Sequence, residues 1–206
     1  MKKIFMSEPN LIGNEKIYLN ECIRSNFVSS HGKFLKKFEK KITFFSGSKG
    51  CVLTSSGSAA LHLALLALDV KRNDIVIAPS FTFAATINAI SLVGAQPWLF
   101  DISLKDWNLD IEKLEKELEN KIRIDKRGNP ILKNNKKKIS AIMVVYSFGL
   151  MPDMKRLKKI SKKFSIPIIA DSACGLGSTI DKKPIGKVGA DLSILSFNGN
   201  KTITSG

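Results

Sequence analysis

Cysteine and histidine are scarce in this sequence. Its 206 residues include three cysteines, Cys22, Cys51 and Cys174, which form no C-x-x-C pair. So few cysteines cannot build a disulfide framework, and we therefore expect a reducing compartment and a cytoplasmic protein. The two histidines, His31 and His62, lie far apart and have no acidic partners nearby in the sequence. This scarcity speaks against a zinc site and against a serine triad.

Long apolar runs and two nucleotide-binding motifs are also absent. The longest apolar segment, 59–68, has about half of the ~20 residues that a membrane-spanning helix needs. The chain reaches Glu8 before any apolar stretch of signal-peptide length, so we predict neither secretion nor membrane insertion. Segment 175–177 (GLG) lacks the third glycine of a dinucleotide fingerprint, and no G-x-x-x-x-G-K-[ST] occurs. A nicotinamide enzyme and an NTPase are therefore disfavoured.

Acidic residues are outnumbered. The sequence contains 18 Asp and Glu residues and 33 Lys and Arg residues, which gives a formal net charge of +15. Such an excess can indicate a polyanionic partner. The lysines, however, are scattered over predicted helix faces and one loop, without a nucleic-acid-binding module around them. We interpret the charge as a solvated surface and expect no nucleic-acid partner, although an anionic small substrate would benefit from the field.

From residue 51 onwards, short β-rich runs alternate with helical ones, a pattern that favours parallel strands linked by crossover helices. We predict an α/β fold whose mostly parallel central sheet is flanked by helices, over residues 51–206, after a helical lead-in segment at 1–50. The polar stretch 121–138 contains a turn cluster and is interpreted as a surface excursion, such as a small hairpin. The strand candidates are Cys51–Thr54, Ile75–Ala78, Pro97–Asp101, Ile139–Tyr146, Ile166–Asp171 and Asp191–Phe197, and the helix candidates are 14–26, 32–45, 58–68, 82–93, 110–120 and 153–164.

A turn of small residues, 55–60 (SSGSAA), follows the first strand candidate and precedes an apolar helix. The free N–H groups and the dipole of a helix N-terminus bind phosphate well, and Gly57 would let the backbone approach closely. A serine that caps a buried helix explains the same segment equally well when it is taken alone. Other residues of the sequence are needed to distinguish phosphate binding from helix capping.

Three further residues can act together with this turn. Asp171 ends a predicted central strand, where a carboxylate could keep a pyridinium nitrogen protonated, unless it only caps the next turn. Lys201 follows another apolar run and, unless it is one more surface lysine, can bond to an aldehyde and carry a proton. Phe83 could stack on a planar ring. An aromatic residue at such a position more often belongs to the hydrophobic core, and Phe81 is the alternative candidate for the exposed position. Together these residues can hold pyridoxal 5'-phosphate.

The ordered set of motifs resembles the DegT/DnrJ/StrS-type sugar aminotransferases, which are pyridoxal-phosphate enzymes of the aspartate-aminotransferase-like (type I) fold. The resemblance runs across nearly the whole chain. The matching segments are 32–34 (GKF), 56–65 (SGSAALHLAL), 79–83 (PSFTF), 170–173 (ADSA), 189–191 (GAD) and 196–202 (SFNGNKT).

The resemblance implies a role for each matching residue. Lys201 would be the catalytic lysine that bonds to the cofactor, and Asp171 would hold the ring nitrogen. The other implied cofactor-binding residues are Gly57, Ser58, Ala59 and Ser196 for the phosphate, Phe83 for the ring and Cys174 beside the cofactor hydroxyl or the sugar. Cys174 is a departure, because relatives usually carry glutamine, glutamate or histidine there. A second departure is Tyr146, where relatives commonly have a histidine.

The resemblance also implies a substrate class and an assembly. We expect glutamate as the amino donor, a nucleotide-linked keto-sugar as the acceptor, and a homodimer. The motif 197–201 and the basic insertion look like the branch that acts on UDP-linked 4-keto-6-deoxy amino sugars, including legionaminic-acid-pathway enzymes. The family's smaller C-terminal domain would follow Gly206, so we expect the 206-residue chain to be an inactive fragment by itself. A non-catalytic derivative of the fold and a related sugar dehydratase are the alternatives.

Overall fold

The computed structural model describes residues 3–4 and 8–205. Two one-turn 3-10 helices, at Ser147–Gly149 and Ile185–Lys187, accompany the longer elements. In chain order these are α1 (Glu15–Arg24), α2 (Lys33–Ser46), α3 (Gly57–Ala67), β1 (Ile75–Pro79), α4 (Ala84–Leu92), β2 (Gln96–Phe100), α5 (Ile111–Lys121), β3 (Ile122–Ile124), β4 (Pro130–Leu132), β5 (Ile139–Val145), α6 (Met154–Phe164), β6 (Ile168–Asp171), β7 (Thr179–Ile180), β8 (Lys183–Pro184) and β9 (Leu192–Ile194).

Five strands form one sheet in the order β2-β1-β5-β6-β9, and every neighbouring pair is parallel. All five residues of β1 and all four of β6 are buried, as expected for strands that are covered on both faces. The register places Asp171 beside Val145 on one side and beside Ile194 on the other. The carboxyl end of β6 is therefore enclosed by two neighbouring strands.

Helices cover both faces of this sheet. On β5, Ile142 and Val144 pack into one core cluster with α5 and α6, whereas Ala141 and Met143 pack into a second cluster with α3 and α4. This alternation follows from the two-residue period of side chains along a strand. The predicted α/β architecture with helices on both sides of a parallel sheet is confirmed.

Helix α6 illustrates how the local sequence sets the boundaries of the elements. Its N-cap Asp153 accepts a hydrogen bond from the N–H of Arg156 at 2.9 Å, which satisfies one of the free donors of the first turn. The helix ends at Phe164, and Ser165 has a left-handed φ of 55°. Pro167 follows two residues later and disfavours helix at the residue before it, so the helix ends at residue 164, as predicted.

Most of the predicted elements are confirmed to within a few residues, including the hairpin, which is formed by β3 and β4. The strand predicted at Cys51–Thr54 is wrong, since this segment pairs with no strand. Its Val52 is 74% exposed, and the N–H of Leu53 donates to the carboxylate of Glu39 at 3.3 Å instead of to a strand. An apolar run alone therefore did not identify a sheet strand here.

Helix α2 of the lead-in segment contacts the rest of the chain. The Phe38 ring on α2 packs edge-on against Phe197, with 4.8 Å between the ring centroids. Gly47 ends α2 with a left-handed φ of 67°. The division of the chain into 1–50 and 51–206 stays a prediction. Within the described residues, no helix has the length and apolar character to cross a membrane.

Candidate active site

The predicted site residues follow the carboxyl ends of three strands. Because the sheet is parallel, the ends of β1, β6 and β9 lie at the same edge. Asp171 is the last residue of β6, Phe83 follows β1, and Ser196 follows β9. This is the edge where open α/β sheets bind their ligands.

Asp171 is a buried carboxylate with donors on both oxygens. Its side chain is 5% exposed. Oδ2 accepts a hydrogen bond from Thr86 Oγ1 at 2.7 Å, and Oδ1 accepts one from the N–H of Ala173 at 3.3 Å. A carboxylate has about four lone-pair sites, so these two bonds leave room for another donor. Asp171 could therefore accept a hydrogen bond from a protonated ring nitrogen.

The strand end is held in place by Ser172. This residue is fully buried, and both its N–H and its hydroxyl donate to the backbone oxygen of Ile194, at 3.0 and 2.7 Å. The two bonds tie the end of β6 to the end of β9, and so fix Asp171 relative to Ser196. We did not predict this contact, because the sequence does not show which strand lies beside β6.

The phosphate site is predicted at the N-terminus of α3. Its N-cap is Ser56, whose Oγ accepts the N–H of Ala59 at 3.1 Å. The capping interpretation of this segment is thus correct for Ser56. The Ser56 hydroxyl oxygen occupies the N–H of Ala59, one of the donors that were expected to bind phosphate. The exposed Ser58 and the backbone of Gly57 remain at the helix start. The first N–H groups of a helix have no acceptor within it.

Gly57 lies directly against Ser196. A Cβ atom built on Gly57 would lie 3.3 Å from the Cβ and 3.5 Å from the Oγ of Ser196. Ser196 is itself 9% exposed. The structure therefore brings together two residues that were predicted to bind the same phosphate, although they are far apart in the sequence.

Lys201 lies in the loop after β9 and is half-buried. Its Nζ is 3.5 Å from the Sγ of Cys174 and 6.0 Å from the centroid of the Phe83 ring. Phe83 is 79% exposed, compared with 40% for Phe81, so Phe83 is the more accessible of the two rings. Within the described residues, no hydrogen bond or ion pair joins Lys201 to Asp171 directly.

Tyr146 lies behind this edge, just after β5. Its side chain is 1% exposed, and its hydroxyl has no hydrogen-bond partner within the described residues. Burial raises the pKa of this phenol above its ordinary value. A Cβ on Gly175 would lie 3.1 Å from the Tyr146 ring, so the turn after Asp171 packs tightly on it. Tyr146 is therefore a core residue that packs against the turn after Asp171.

The residues at this edge fit pyridoxal 5'-phosphate. A buried carboxylate suits a protonated ring nitrogen, a helix N-terminus suits a phosphate, and a lysine amine suits an aldehyde. Because Gly57 has no side chain, Ser196 can lie directly against the start of α3. Over residues 3–4 and 8–205, no group of three or more His, Cys, Asp or Glu side chains could hold a metal ion.

Comparison with known proteins agrees with this chemistry. The sequence model of the DegT/DnrJ/EryC1/StrS aminotransferase family matches residues 9–206, and the chain belongs to this family. It is 36% identical over 206 residues to the GDP-perosamine synthase of Escherichia coli O157:H7, covering 100% of this chain and 52% of that protein. It is 34% identical over 202 residues to a UDP-4-amino-4,6-dideoxy-N-acetyl-beta-L-altrosamine transaminase of Campylobacter jejuni, covering 98% of this chain and 49% of that protein. The chain thus spans about half the length of these relatives.

Solved structures show the same fold. A Streptococcus pneumoniae protein solved in its PLP form superposes with a TM-score of 0.80 at 27% identity, over 98% of this chain and 51% of that one. Helicobacter pylori PseC, an aminotransferase involved in pseudoaminic acid biosynthesis, gives a TM-score of 0.79 at 28% identity, over 98% of this chain and 50% of that one. The predicted pyridoxal-phosphate-transferase fold is confirmed.

Proposed function

We propose that this protein uses pyridoxal 5'-phosphate to transfer an amino group from glutamate to the keto group of a nucleotide-linked sugar. The convergence of Lys201, Asp171 and the start of α3 at one edge of the sheet carries the proposal. Membership in an aminotransferase family supports it, as do relatives named as a nucleotide-sugar synthase and transaminase. Since the chain spans about half of those relatives, the activity of the whole protein is part of the proposal.

The chain's own residues would bind and orient the cofactor. Gly57 and Ser58 would donate backbone N–H groups to the phosphate, and Ser196 would add its hydroxyl. Phe83 would stack on one face of the ring, and Asp171 would accept a hydrogen bond from the ring nitrogen and keep it positively charged. When bound, pyridoxal 5'-phosphate supplies a ring that withdraws electrons from the reacting carbon.

Lys201 would carry the proton. Its amine lies 6.0 Å from the centroid of the Phe83 ring, and a planar ring stacked on Phe83 would lie within reach of it. A positioned amine can take a proton from one carbon and return it to another, which contributes roughly 10²- to 10⁴-fold to the rate. Cys174 lies beside this amine, 3.5 Å away, and we propose that it lines the substrate side of the site.

The acceptor, the assembly and the location are further parts of the proposal. A diphosphate-linked sugar is anionic, and the net charge of +15 would assist its capture. We propose a UDP-linked 4-keto-6-deoxy amino sugar as the acceptor. The assay below tests it alongside the GDP-linked analogue. The homodimer and the cytoplasmic location stay predictions, as does the inactivity of the isolated 206-residue chain.

A direct assay tests this function. The whole protein, and not the isolated 206-residue chain, is incubated with pyridoxal 5'-phosphate, glutamate and each keto-sugar nucleotide, and the amino sugar is detected by mass spectrometry. We expect the product to form with the wild-type protein and the rate to fall by roughly 10²- to 10⁴-fold in Lys201→Ala. Cofactor binding without amino transfer would contradict the proposal. Loss of water from the sugar without glutamate consumption would indicate a dehydratase instead.

A further inference from the structure

Thr86 lies at the junction between two parts of the candidate site. It is on α4, fully buried, and its Oγ1 donates to Oδ2 of Asp171 at 2.7 Å, across 85 residues of sequence. Its backbone N–H donates to the backbone oxygen of Phe83 at 3.1 Å. One residue therefore contacts both the predicted ring-nitrogen ligand and the residue predicted to stack on the ring.

The direction of the hydrogen bonds follows from the donors available. An ionised carboxylate only accepts, so the hydroxyl proton of Thr86 points to Asp171. The hydroxyl of Thr82 lies 2.7 Å from that of Thr86, and either oxygen could in principle be the donor. Because the Thr86 proton is already used, Thr82 is the donor in this pair, and its other contact, to the backbone oxygen of Phe83 at 3.3 Å, is the longer of the two. The result is a relay in which Thr82 donates to Thr86 and Thr86 donates to Asp171.

The relay constrains the carboxylate from one side. The N–H of Ala173 donates to Oδ1 of Asp171 at 3.3 Å, which is a longer bond than the one from Thr86. The short bond from Thr86 therefore holds the carboxylate most firmly and fixes its rotation. It also fixes the carboxylate relative to α4, whose N-cap is Phe83.

We propose that Thr86 is a positioning residue for the cofactor site. Its hydroxyl holds the Asp171 carboxylate in the orientation that receives the ring nitrogen, and it ties that carboxylate to α4, whose N-cap is Phe83. This inference rests on the proposed function, because the orientation matters only if a pyridine ring binds there. If the hydroxyl of Thr86 served only to satisfy buried polar groups, its removal would lower the folding stability and leave cofactor binding unchanged.

The experiment compares Thr86→Val, which keeps the shape and removes the donor, with Thr86→Ser, which keeps the donor. Three quantities are measured: the free energy of unfolding without cofactor, the dissociation constant of pyridoxal 5'-phosphate, and the pH dependence of the bound cofactor's visible absorption. Thr86→Val removes a hydrogen bond to a charged group, and such bonds contribute more free energy than bonds between neutral groups. We therefore expect Thr86→Val to weaken cofactor binding about tenfold, or about 1.4 kcal/mol. The pH at which the visible absorption of the bound cofactor changes should shift by about one unit, because the charge on the ring nitrogen influences this pH. Thr86→Ser should stay within about twofold of wild type in affinity.

The outcomes separate this inference from the proposed function. A wild-type protein that does not bind the cofactor overturns both. A wild-type protein that binds it, with a Thr86→Val variant that is less stable but unchanged in affinity and absorption, overturns only the role of Thr86. If Thr86→Val does not fold, Thr82→Val removes the outer donor alone and should weaken binding about threefold. Unchanged cofactor affinity in that variant would overturn the inference as well.

Discussion

Replacing Tyr146 with phenylalanine should stabilise the protein. The Tyr146 side chain is 1% exposed, and its hydroxyl has no partner within the described residues. A buried hydroxyl without a hydrogen bond costs about 1 to 3 kcal/mol in desolvation. Tyr146→Phe removes that cost and keeps the ring that packs beneath Gly175. We therefore expect the free energy of unfolding at neutral pH to rise by about 1 kcal/mol, measured by urea denaturation.

The pH dependence gives a second test of the same residue. Burial raises the pKa of Tyr146 in the folded protein, whereas an unfolded tyrosine loses its proton near pH ~10. Above that pH the folded state keeps a proton that the unfolded state has lost, so the stability falls as the pH rises. The slope from one such group approaches about 1.4 kcal/mol per pH unit, and Tyr146→Phe should remove it.

The sequence offers a matched control. Its only other tyrosine, Tyr18, is 42% exposed on α1. Tyr18→Phe should change the stability by less than about 0.5 kcal/mol at neutral pH, as is usual for surface substitutions. A loss of stability in Tyr146→Phe, or an unchanged alkaline slope, would refute the reasoning, because the hydroxyl would then have a stabilising partner.

Two further substitutions test the cofactor site. In Gly57→Ala, the new Cβ would lie 3.3 Å from the Cβ of Ser196, so cofactor affinity should fall about tenfold in a binding titration. Gly50→Ala is the control, since a Cβ there meets no atom within 4 Å, and an equal loss of affinity in both variants would contradict the argument. Alkylation of the exposed Cys174 should place bulk beside the Lys201 amine and weaken cofactor binding about tenfold. Cys174→Ser should be resistant, and equal sensitivity of that variant would assign the effect to another cysteine.

The central strands β1, β5 and β6 could be predicted because they are buried on both faces. Continuous apolar runs such as 139–145 and 166–171 carry this signal directly in the sequence. The run at 51–54 carries the same signal but lies outside the sheet, where a glutamate on α2 binds its backbone. Composition does not distinguish these two situations. The partner that satisfies a backbone group depends on the packing of distant elements.

The candidate site was predictable where position along a strand was enough. Asp171 was proposed from the rule that ligands bind at the carboxyl edge of a parallel sheet, whereas Ser196 was implied by the family resemblance. Thr86 and Ser172 were not predicted, because their contacts join segments that are adjacent only in the folded chain. The occupied N–H of Ala59 was also unforeseen, since both the capping and the phosphate interpretation fitted segment 55–60.

Covalent trapping of the cofactor tests the central claim most directly. The protein is incubated with pyridoxal 5'-phosphate, reduced with borohydride and digested, and the labelled peptide is identified by mass spectrometry. We predict a single pyridoxyl label on Lys201, lost in Lys201→Ala and retained when the exposed Lys105 is replaced by alanine. A label on a different lysine, or full labelling of Lys201→Ala, would contradict the assignment of Lys201 as the cofactor-binding residue.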